Sequence, residues 1–316
     1  MVEEAVSGLS LGVLQGEEEM NKDVVTEPGI YRDMSVEEYD LIPAVRRTFL
    51  WDLHNQSPGH AIYNSENRVE RKVFATGTMV HTSFLQPEEF PRKYVVMPPF
   101  ENDELNLTAK GDVPKAPKNT SFYKDKVDAF RDLCASTGAE IVTQDDYNMA
   151  YEIGRNIREH EIAQRFFKRG SSNEAVAVAR DTETGLLLKA RFDCLVEEGM
   201  PTAVDVKTAQ SAHPAYFRYS VRKFGYYFQD SFYLKILRLL GLKNPNFLFI
   251  VCEKTPPYPV SVYECQSATG KLGDLHVTRA LKRYKQCTAA GEWPFYGTGI
   301  QTIELSDFDL KELEDA

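Results

Sequence analysis

Residues 186–208, LLLKARFDCLVEEGMPTAVDVKT, predict the centre of the fold. Two apolar-rich stretches flank the turn-like residues 197–201, a pattern typical of a β-hairpin with a five-residue loop. Gly199 lies six residues from Asp193 and six from Asp205. If the strands pair symmetrically about this glycine, the two carboxylates lie opposite each other, with Cβ atoms roughly 5 Å apart.

The second strand of this hairpin alternates charged and apolar residues. Its alternation places Asp205 and Lys207 on one face and Val204 and Val206 on the other. Like charges repel and are costly to bury, so two facing carboxylates indicate a cation, and Mg²⁺ suits oxygen ligands. A solvated hairpin face is the simpler interpretation for Asp193 alone. For the Asp205–Lys207 pair embedded in an apolar strand, we favour a cation-binding site over a solvated face.

Asp193 followed by Asp205-x-Lys207 resembles the motif of the PD-(D/E)XK nuclease superfamily. The resemblance implies an α/β fold with a restriction-endonuclease-like core, in which helices flank a central mixed β-sheet.

His81 lies in residues 75–90, ATGTMVHTSFLQPEEF, where apolar residues have helical spacing and Thr78 is the expected N-cap. A single histidine on a helix is more often packed or solvent-exposed than a ligand. The block nevertheless resembles the opening motif of RecE-type exonucleases, and this resemblance implies that His81 is a metal ligand.

Tyr226, Gln229 and Tyr233 share one face of a predicted helix over residues 226–240, where the aromatic rings would pack on the sheet. The pattern Y-x-x-Q-x-x-x-Y after D-x-K also resembles the third motif of the RecB-like branch of the superfamily. That resemblance implies that Gln229 approaches the metal–phosphate site and that Tyr233 supports it. Glu174, otherwise an ordinary acid at a strand edge, matches a glutamate of RecE-like sequences.

The resemblance spans residues 31–296 and implies a RecE-type exonuclease with an αβββαβ core and helical additions. Such an enzyme digests duplex DNA from its ends, 5′ to 3′, using Mg²⁺ or, as a substitute, Mn²⁺. The 3′ single strand that remains would serve recombination with a RecT-like single-strand-annealing protein, and the enzyme would be a ring-shaped homo-oligomer. The implied metal ligands are His81, Asp193, Asp205 and the carbonyl of Val206. The implied catalytic set is Asp193, Asp205, Lys207, Gln229, Glu174, Tyr226 and Tyr233.

Composition and charge limit which other classes of protein the sequence can belong to. No run of about 18 apolar residues indicates a membrane span, and no secretory signal is expected, which favours the cytoplasm. The five cysteines form no C-x-x-C pair, so we expect a reducing compartment and no iron–sulfur cluster. The net charge is −10, yet residues 1–40 hold eleven acids and two bases, and residues 301–316 hold six acids and one base. The remaining body is therefore mildly basic, which is compatible with phosphate contacts.

We therefore expect an acidic disordered leader over residues 1–28, a single nuclease domain over residues 29–300 and an acidic tail over residues 301–316. Two alternatives stay open. One is a site-specific or structure-specific endonuclease on the same core, and the other is a catalytically inactive module that binds DNA or a partner.

Several further elements follow from local patterns. Ser35 opens a short helix through a capping box, and a second helix starts near Thr48 and stops at Pro58. Residues 144–167 predict one long amphipathic helix. A strand over residues 174–180 joins the central hairpin in a three-stranded antiparallel meander. A further hairpin over residues 247–265 and a helix over residues 272–289 follow.

Overall fold

The computed structural model describes residues 24–67, 72–108, 110–167 and 171–303. Most of the expected acidic leader and the last 13 residues of the expected tail lie outside these ranges. The strands are β1 (Gly29–Tyr31), β2 (Val45–Arg46), β3 (Tyr94–Val96), β4 (Glu140–Val142), β5 (Ser171–Asn173), β6 (Val176–Arg180), β7 (Leu187–Arg191), β8 (Cys194–Val196), β9 (Thr202–Ala209), β10 (Asn246–Glu253) and β11 (Val260–Tyr263). The α-helices are α1 (Val36–Leu41), α2 (Arg47–Asn55), α3 (Pro58–Glu66), α4 (Lys72–Leu85), α5 (Phe90–Lys93), α6 (Ser121–Thr137), α7 (Gln144–Glu159), α8 (Pro214–Lys223), α9 (Tyr226–Leu239) and α10 (Ser267–Ala290).

The central hairpin has the expected register. β8 pairs antiparallel with β9 so that Cys194 faces Val204 and Val196 faces Thr202, which is symmetric about Gly199. Gly199 has a φ of 74°, a backbone conformation that glycine adopts without strain. The five-residue loop over residues 197–201 is confirmed.

The expected three-stranded meander is divided between two sheets by a bend. β6 and β7 pair within a four-stranded sheet of order β1-β6-β7-β2, whereas β5 and β8 belong to a five-stranded sheet of order β11-β10-β9-β8-β5. At the bend, Glu174 has a φ of 54° and donates its backbone N–H to the carbonyl of Asp193 at 3.1 Å. Glu174 therefore lies in the bend, and the strand predicted to begin there begins at Val176.

Helices cover both faces of the five-stranded sheet. On one face Phe228, Phe232 and Ile236 of α9 lie in a core that also includes residues of α2 and α10. On the other face Val80 of α4 and Ile153 of α7 lie in a core with alternate residues of β9 and β10. The α/β class and the flanking helices are as expected, and β9 and β10 pair in parallel within an otherwise antiparallel sheet.

Two helix boundaries differ from the sequence prediction near prolines and threonines. Pro58 does not end a helix but occupies the first position of α3, because Ser57 accepts the N–H of His60 as N-cap and proline needs no donor there. Thr78 is not an N-cap, since α4 already begins at Lys72. The Ser35 capping box is confirmed.

Two other predicted helices have different bounds, and one helix has no counterpart in the sequence prediction. The predicted 144–167 helix ends at Glu159. Helix α8 was not predicted. The last helix begins at Ser267 rather than near residue 272.

A buried ion pair fixes α9 against the sheet. Asp181, in the turn between β6 and β7, accepts the backbone N–H of Thr184 at 2.9 Å, and Lys235 of α9 places its Nζ 2.7 Å from the second oxygen. Burial alone would raise the pKa of Asp181, but the bonds from Lys235 and Thr184 outweigh it and hold the pKa below 3.8. The pair therefore stabilises the fold at neutral pH.

Asp181→Ala should lower the free energy of unfolding by about 3 kcal/mol at pH 7, because it leaves the Lys235 ammonium without its partner. The matched control is Glu183→Ala in the same turn. It removes an exposed ion pair with Lys282 of α10 and should lower the free energy of unfolding by less than about 0.5 kcal/mol. Urea unfolding measures both. Since the folded pKa of Asp181 is depressed, its contribution is present above pH 3.8 and is lost in stronger acid. Equal losses in the two variants would contradict this role.

Candidate active site

Asp193 satisfies a backbone amide of β9 that has no strand partner. Ladder pairing between β8 and β9 runs from Val196 back to Cys194, after which the first strand bends away into the other sheet. The N–H and C=O of Val206 point to the edge that this departure leaves open. Asp193 Oδ2 accepts the Val206 N–H at 2.6 Å. The bend thus replaces a ladder hydrogen bond with a carboxylate, which is held at a fixed place on the edge of β9.

His81 reaches the same edge from α4. Its Nδ1 lies 3.4 Å from Asp193 Oδ1, and its Nε2 lies 3.4 Å from the carbonyl oxygen of Val206. A neutral imidazole carries one N–H and can donate to only one of these two oxygens. The other nitrogen then directs its lone pair at an oxygen, an arrangement that a cation among these atoms would relieve.

The position of α4 depends on close helix packing. Gly154 of α7 faces Ser83, and a Cβ at position 154 would lie 2.4 Å from Ser83 Oγ. The hydroxyl of Ser83 donates to the carbonyl of Ala150 at 2.7 Å. This contact, two residues from His81, sets how closely α4 packs against α7.

Asp205 is buried and has both oxygens engaged. Lys207 places its Nζ 2.6 Å from Oδ2, and Gln229 of α9 donates its Nε2 hydrogen to Oδ1. The alternation of β9 is as predicted, since Val204 and Val206 pack with α4 and α7 while Asp205 and Lys207 face α9. The side chains of Asp205, Lys207 and Gln229 therefore form one interacting cluster, although these residues lie up to 24 positions apart in the sequence.

Two tyrosines of α9 surround this group without a hydrogen bond to either carboxylate. Lys207 Nζ lies 5.1 Å from the centroid of the Tyr226 ring, a cation–π contact. Tyr233 packs edge-on against Phe192, with centroids 5.1 Å apart, directly beside Asp193. Burial raises the pKa of both phenols, which therefore stay neutral at physiological pH. They therefore supply no charge to the site, and their predicted catalytic role stays a prediction.

Glu174 contributes through its backbone. Its side chain forms an ion pair with Arg191 at 2.9 Å and is not bonded to Asp193, Asp205 or Lys207. The predicted catalytic role of this carboxylate stays a prediction, while its positive φ belongs to the bend that places Asp193.

Arg47 is a residue that the sequence did not single out. Its guanidinium donates to the carbonyls of Phe224 and Gly225, the latter at 2.8 Å, and lies over the ring of Trp51. Burial lowers its pKa, and electrostatic interactions with Tyr233, Asp205 and Tyr226 oppose that effect. Gly225, with a φ of 64°, is required here because a Cβ would lie 2.5 Å from the Trp51 ring. Arg47 and Trp51 thus fix the start of α9.

The electrostatics of Asp193 differ from those of an ordinary surface carboxylate. Burial, together with the charge of Asp205, raises its pKa to about 6, against the opposing effects of His81, Lys207 and the Val206 amide. A second carboxylate in a shielded site is therefore held close to protonation. Added positive charge would stabilise the ionised form.

The donor set fits a hard divalent cation. The Asp193 carboxylate, the His81 imidazole and the Val206 carbonyl meet at the edge of β9. Asp205 lies on the adjoining face of the same strand, and oxygen atoms are the ligands that Mg²⁺ and Mn²⁺ prefer. In the part of the chain that the structure describes, no three His, Cys, Asp or Glu side chains are already arranged around one point. Asp205 instead faces Lys207 and Gln229. The predicted ligand role of His81, Asp193, Asp205 and Val206 stays a prediction.

Comparison with known proteins gives the family. A family model described as "PDDEXK-like domain of unknown function (DUF3799)" matches residues 52–306. The chain belongs to this family. The expected PD-(D/E)XK superfamily and its fold are therefore confirmed, and the family supports a nuclease. No curated protein matches the chain.

A solved structure agrees with the fold of this PDDEXK-like protein. A crystal structure from Eubacterium rectale, described as a "Putative exonuclease", is similar with a TM-score of 0.53 at 13% sequence identity. The match covers 88% of this chain and 97% of that chain, and it shows the fold. A second structure, SSO0001, matches with a TM-score of 0.25, 10% identity and coverage of 64% of this chain and 86% of that chain, which supports no inference. No helix in the described ranges is long and apolar enough to cross a membrane.

Asp193→Asn should leave the protein without divalent metal as stable as the original or more stable at pH 7.5. Asparagine keeps the acceptor for the Val206 amide and removes a charge whose folded pKa of about 6 exceeds the ordinary 3.8. A raised folded pKa favours folding below pH 3.8, and that benefit is lost as the pH rises through 6. The difference between the two proteins should therefore shrink as the pH falls from 6 to 4. Thermal melts in EDTA measure it.

Glu198→Gln, which removes an exposed carboxylate from the loop of the same hairpin, should show no such pH dependence. Mg²⁺ or Mn²⁺ should then raise the melting temperature of the original protein but not that of Asp193→Asn. A variant that melts well below the original at pH 7.5 would show that hydrogen-bond geometry, rather than charge, dominates at this position.

Proposed function

We propose that this PDDEXK-like protein is a divalent-metal-dependent deoxyribonuclease of the RecE type, which digests duplex DNA from its ends in the 5′ to 3′ direction. One observation carries the proposal. Asp205 forms an ion pair with Lys207, accepts a hydrogen bond from Gln229 and lies on β9, whose Val206 amide binds the carboxylate of Asp193. An ion pair that only stabilises the fold needs neither the glutamine nor the second carboxylate. Metal-dependent hydrolysis of a phosphodiester needs carboxylate ligands for the cation and also a fixed positive charge.

In this proposal Mg²⁺ or Mn²⁺ would be held by Asp193, Asp205, His81 and the carbonyl of Val206. When bound, the ion supplies charge neutralisation on the phosphate and makes water a stronger nucleophile at neutral pH. Lys207 carries a charge that its contacts with Asp205 and Tyr226 hold in place, so it is suited to stabilise negative charge that develops on the phosphate. Gln229 fixes the rotation of the Asp205 carboxylate. Arg47 fixes the helix that carries Gln229.

Three features favour digestion from ends over internal cleavage. The Y-x-x-Q-x-x-x-Y pattern of α9 resembles that of the RecB-like branch, and one structure with a similar fold is described as a "Putative exonuclease". The body is only mildly basic, so it offers few phosphate contacts and its binding should weaken quickly with salt. A ring-shaped homo-oligomer that encloses the duplex would compensate for weak binding. The 3′ single strand would then pass to a single-strand-annealing partner.

Asp205→Asn and Lys207→Ala should each reduce cleavage of linear duplex DNA at least a hundredfold while the protein stays folded. Asparagine removes the charge on which the cation and Lys207 depend, and alanine removes the fixed ammonium. Glu198→Gln, on the same hairpin but outside the site, is the matched control and should cleave normally. Initial rates with Mg²⁺ and circular dichroism of each variant check this. Near-normal cleavage by either site variant would remove these residues from the mechanism.

Linear and covalently closed circular duplexes of one sequence separate the candidate functions. We expect the linear form to be degraded in Mg²⁺, with a label at the 5′ end released before one at the 3′ end, while closed circles survive excess protein. Nicked or linearised circles formed as fast as ends are digested would favour an endonuclease. No cleavage of any DNA, with Mg²⁺ or Mn²⁺, would favour a binding module.

A further inference from the structure

Helix α8 carries an exposed aromatic and basic face beside the candidate active site. Tyr216 and Tyr219 are 66% and 63% exposed, and Phe224, which follows the helix, is 47% exposed. With Lys223, the two tyrosines lie at i, i+3 and i+7 and so share one face of the helix. The opposite face is buried through Phe217. Neither the fold nor the proposed hydrolysis explains why large rings are left in solvent here.

Cations accompany these rings. The Arg218 guanidinium lies 5.1 Å from the centroid of the Tyr219 ring, and Lys223 Nζ lies 5.5 Å from that of Phe224. Between Asp205 and Asp230 the chain holds four lysines or arginines and no acidic residue. Among the carboxylates on adjoining elements, Glu253 accepts hydrogen bonds from Ser211 and the Ala212 amide, and Glu264 lines the same groove as Arg218. A polyanion fits this face better than an acidic protein surface would.

The aromatic face continues into the site. The Phe224 ring lies 5.7 Å from the Tyr226 ring, and the Tyr226 ring lies 5.1 Å from the ammonium of Lys207. A chain of contacts thus leads from the Asp205–Lys207 pair to Phe224 and on to Lys223 at the surface. A strand whose phosphate reached Lys207 would have its next bases near this face.

We propose that Tyr216, Tyr219 and Phe224 form a stacking platform for the bases of single-stranded DNA adjacent to the reacting end. Exposed aromatic rings with interspersed cations bind unpaired strands, because each base offers a flat face and each phosphate a charge. Bases in an intact duplex are stacked on one another, so the platform selects a strand that is already separated. At 1.5 Å per helical residue, the face from Tyr216 to Lys223 is about 10 Å long, room for about two to three nucleotides. This assignment of substrate class rests on the proposed function.

The test measures binding without cleavage. The full chain in EDTA is titrated onto a fluorescent duplex that ends either bluntly or in a ten-nucleotide single strand of either polarity. The variants are the double substitution Tyr216→Ala/Tyr219→Ala and its ring-retaining counterpart Tyr216→Phe/Tyr219→Phe. Tyr63→Ala, at a tyrosine of α3 that is 61% exposed, is the matched control. Each DNA is also made with an abasic single strand.

The original protein should bind one tailed duplex about tenfold more tightly than the blunt one, since a base–aromatic stack contributes roughly a factor of ten in affinity. The alanine pair should lose that preference, whereas the phenylalanine pair and Tyr63→Ala should keep it. Removal of the bases should weaken binding of the tailed duplex by the original protein by the same factor. It should leave binding by the alanine pair unchanged. That coupling identifies stacking rather than charge.

Tight binding of the tailed duplex by the alanine pair, or of the abasic strand by the original protein, would overturn the platform. Equal affinity of the original protein for blunt and tailed duplexes would also overturn it and leave the face to a protein partner. Because no cleavage is needed, the outcomes stay separate from those of the proposed function. Cleavage of DNA ends without stacking would contradict the platform alone. Stacking of single strands without any cleavage would contradict the nuclease proposal alone.

Discussion

The hydrogen bond from the Val206 amide to Asp193 is the contact on which the site depends. It exists because the β7–β8 strand bends away from β9 immediately before Cys194, which leaves the amide of Val206 without a strand partner. An amide in this shielded position is costly without an acceptor, and a carboxylate is a strong one. The bend that splits the meander into two sheets therefore also creates the place where a charged side chain is stable at the sheet edge.

The second carboxylate is stable for a different reason. Asp205 is buried, but Lys207 two residues later on the same face balances its charge, and Gln229 satisfies its other oxygen. The position of Gln229 depends on α9, and α9 is fixed at two places. Arg47 and Trp51 pack around Gly225 at its start, and Lys235 pairs with Asp181 in the third turn. Contacts far from Asp205 in the sequence thus determine which way its carboxylate faces.

The sequence alone predicts the hairpin and the face of each charged residue, because both depend on local rules. A period of two sets the faces of β9, and a loop centred on Gly199 sets the register. The bend at Glu174 could not be predicted, since a positive φ at a glutamate is uncommon and here forms together with a contact to Asp193, nineteen residues away.

Helix boundaries were wrong where one residue type has two uses. Pro58 can stop a helix or open one, and only Ser57 as cap decides between them. Arg47 carries no local pattern at all, because its role comes from carbonyls of residues 224 and 225 on a distant helix start. Helical spacing predicted that Gln229 and the two tyrosines share one face of α9, and the resemblance to the RecB-like branch implied a role for the glutamine. Only the fold shows that the glutamine reaches Asp205 while the tyrosines do not bond to it.

A crystal structure with Mn²⁺, located by its anomalous scattering, tests the central claim most directly. We expect one ion at the open edge of β9, with an oxygen of Asp193, an oxygen of Asp205 and the carbonyl of Val206 as direct ligands and with His81 as the fourth ligand from the protein. The same crystal form of Asp193→Asn should lose that peak. An ion bound elsewhere would contradict the claim that the strand bend builds the metal site. So would an ion that is not coordinated by Asp193 and Val206 in a protein that remains active.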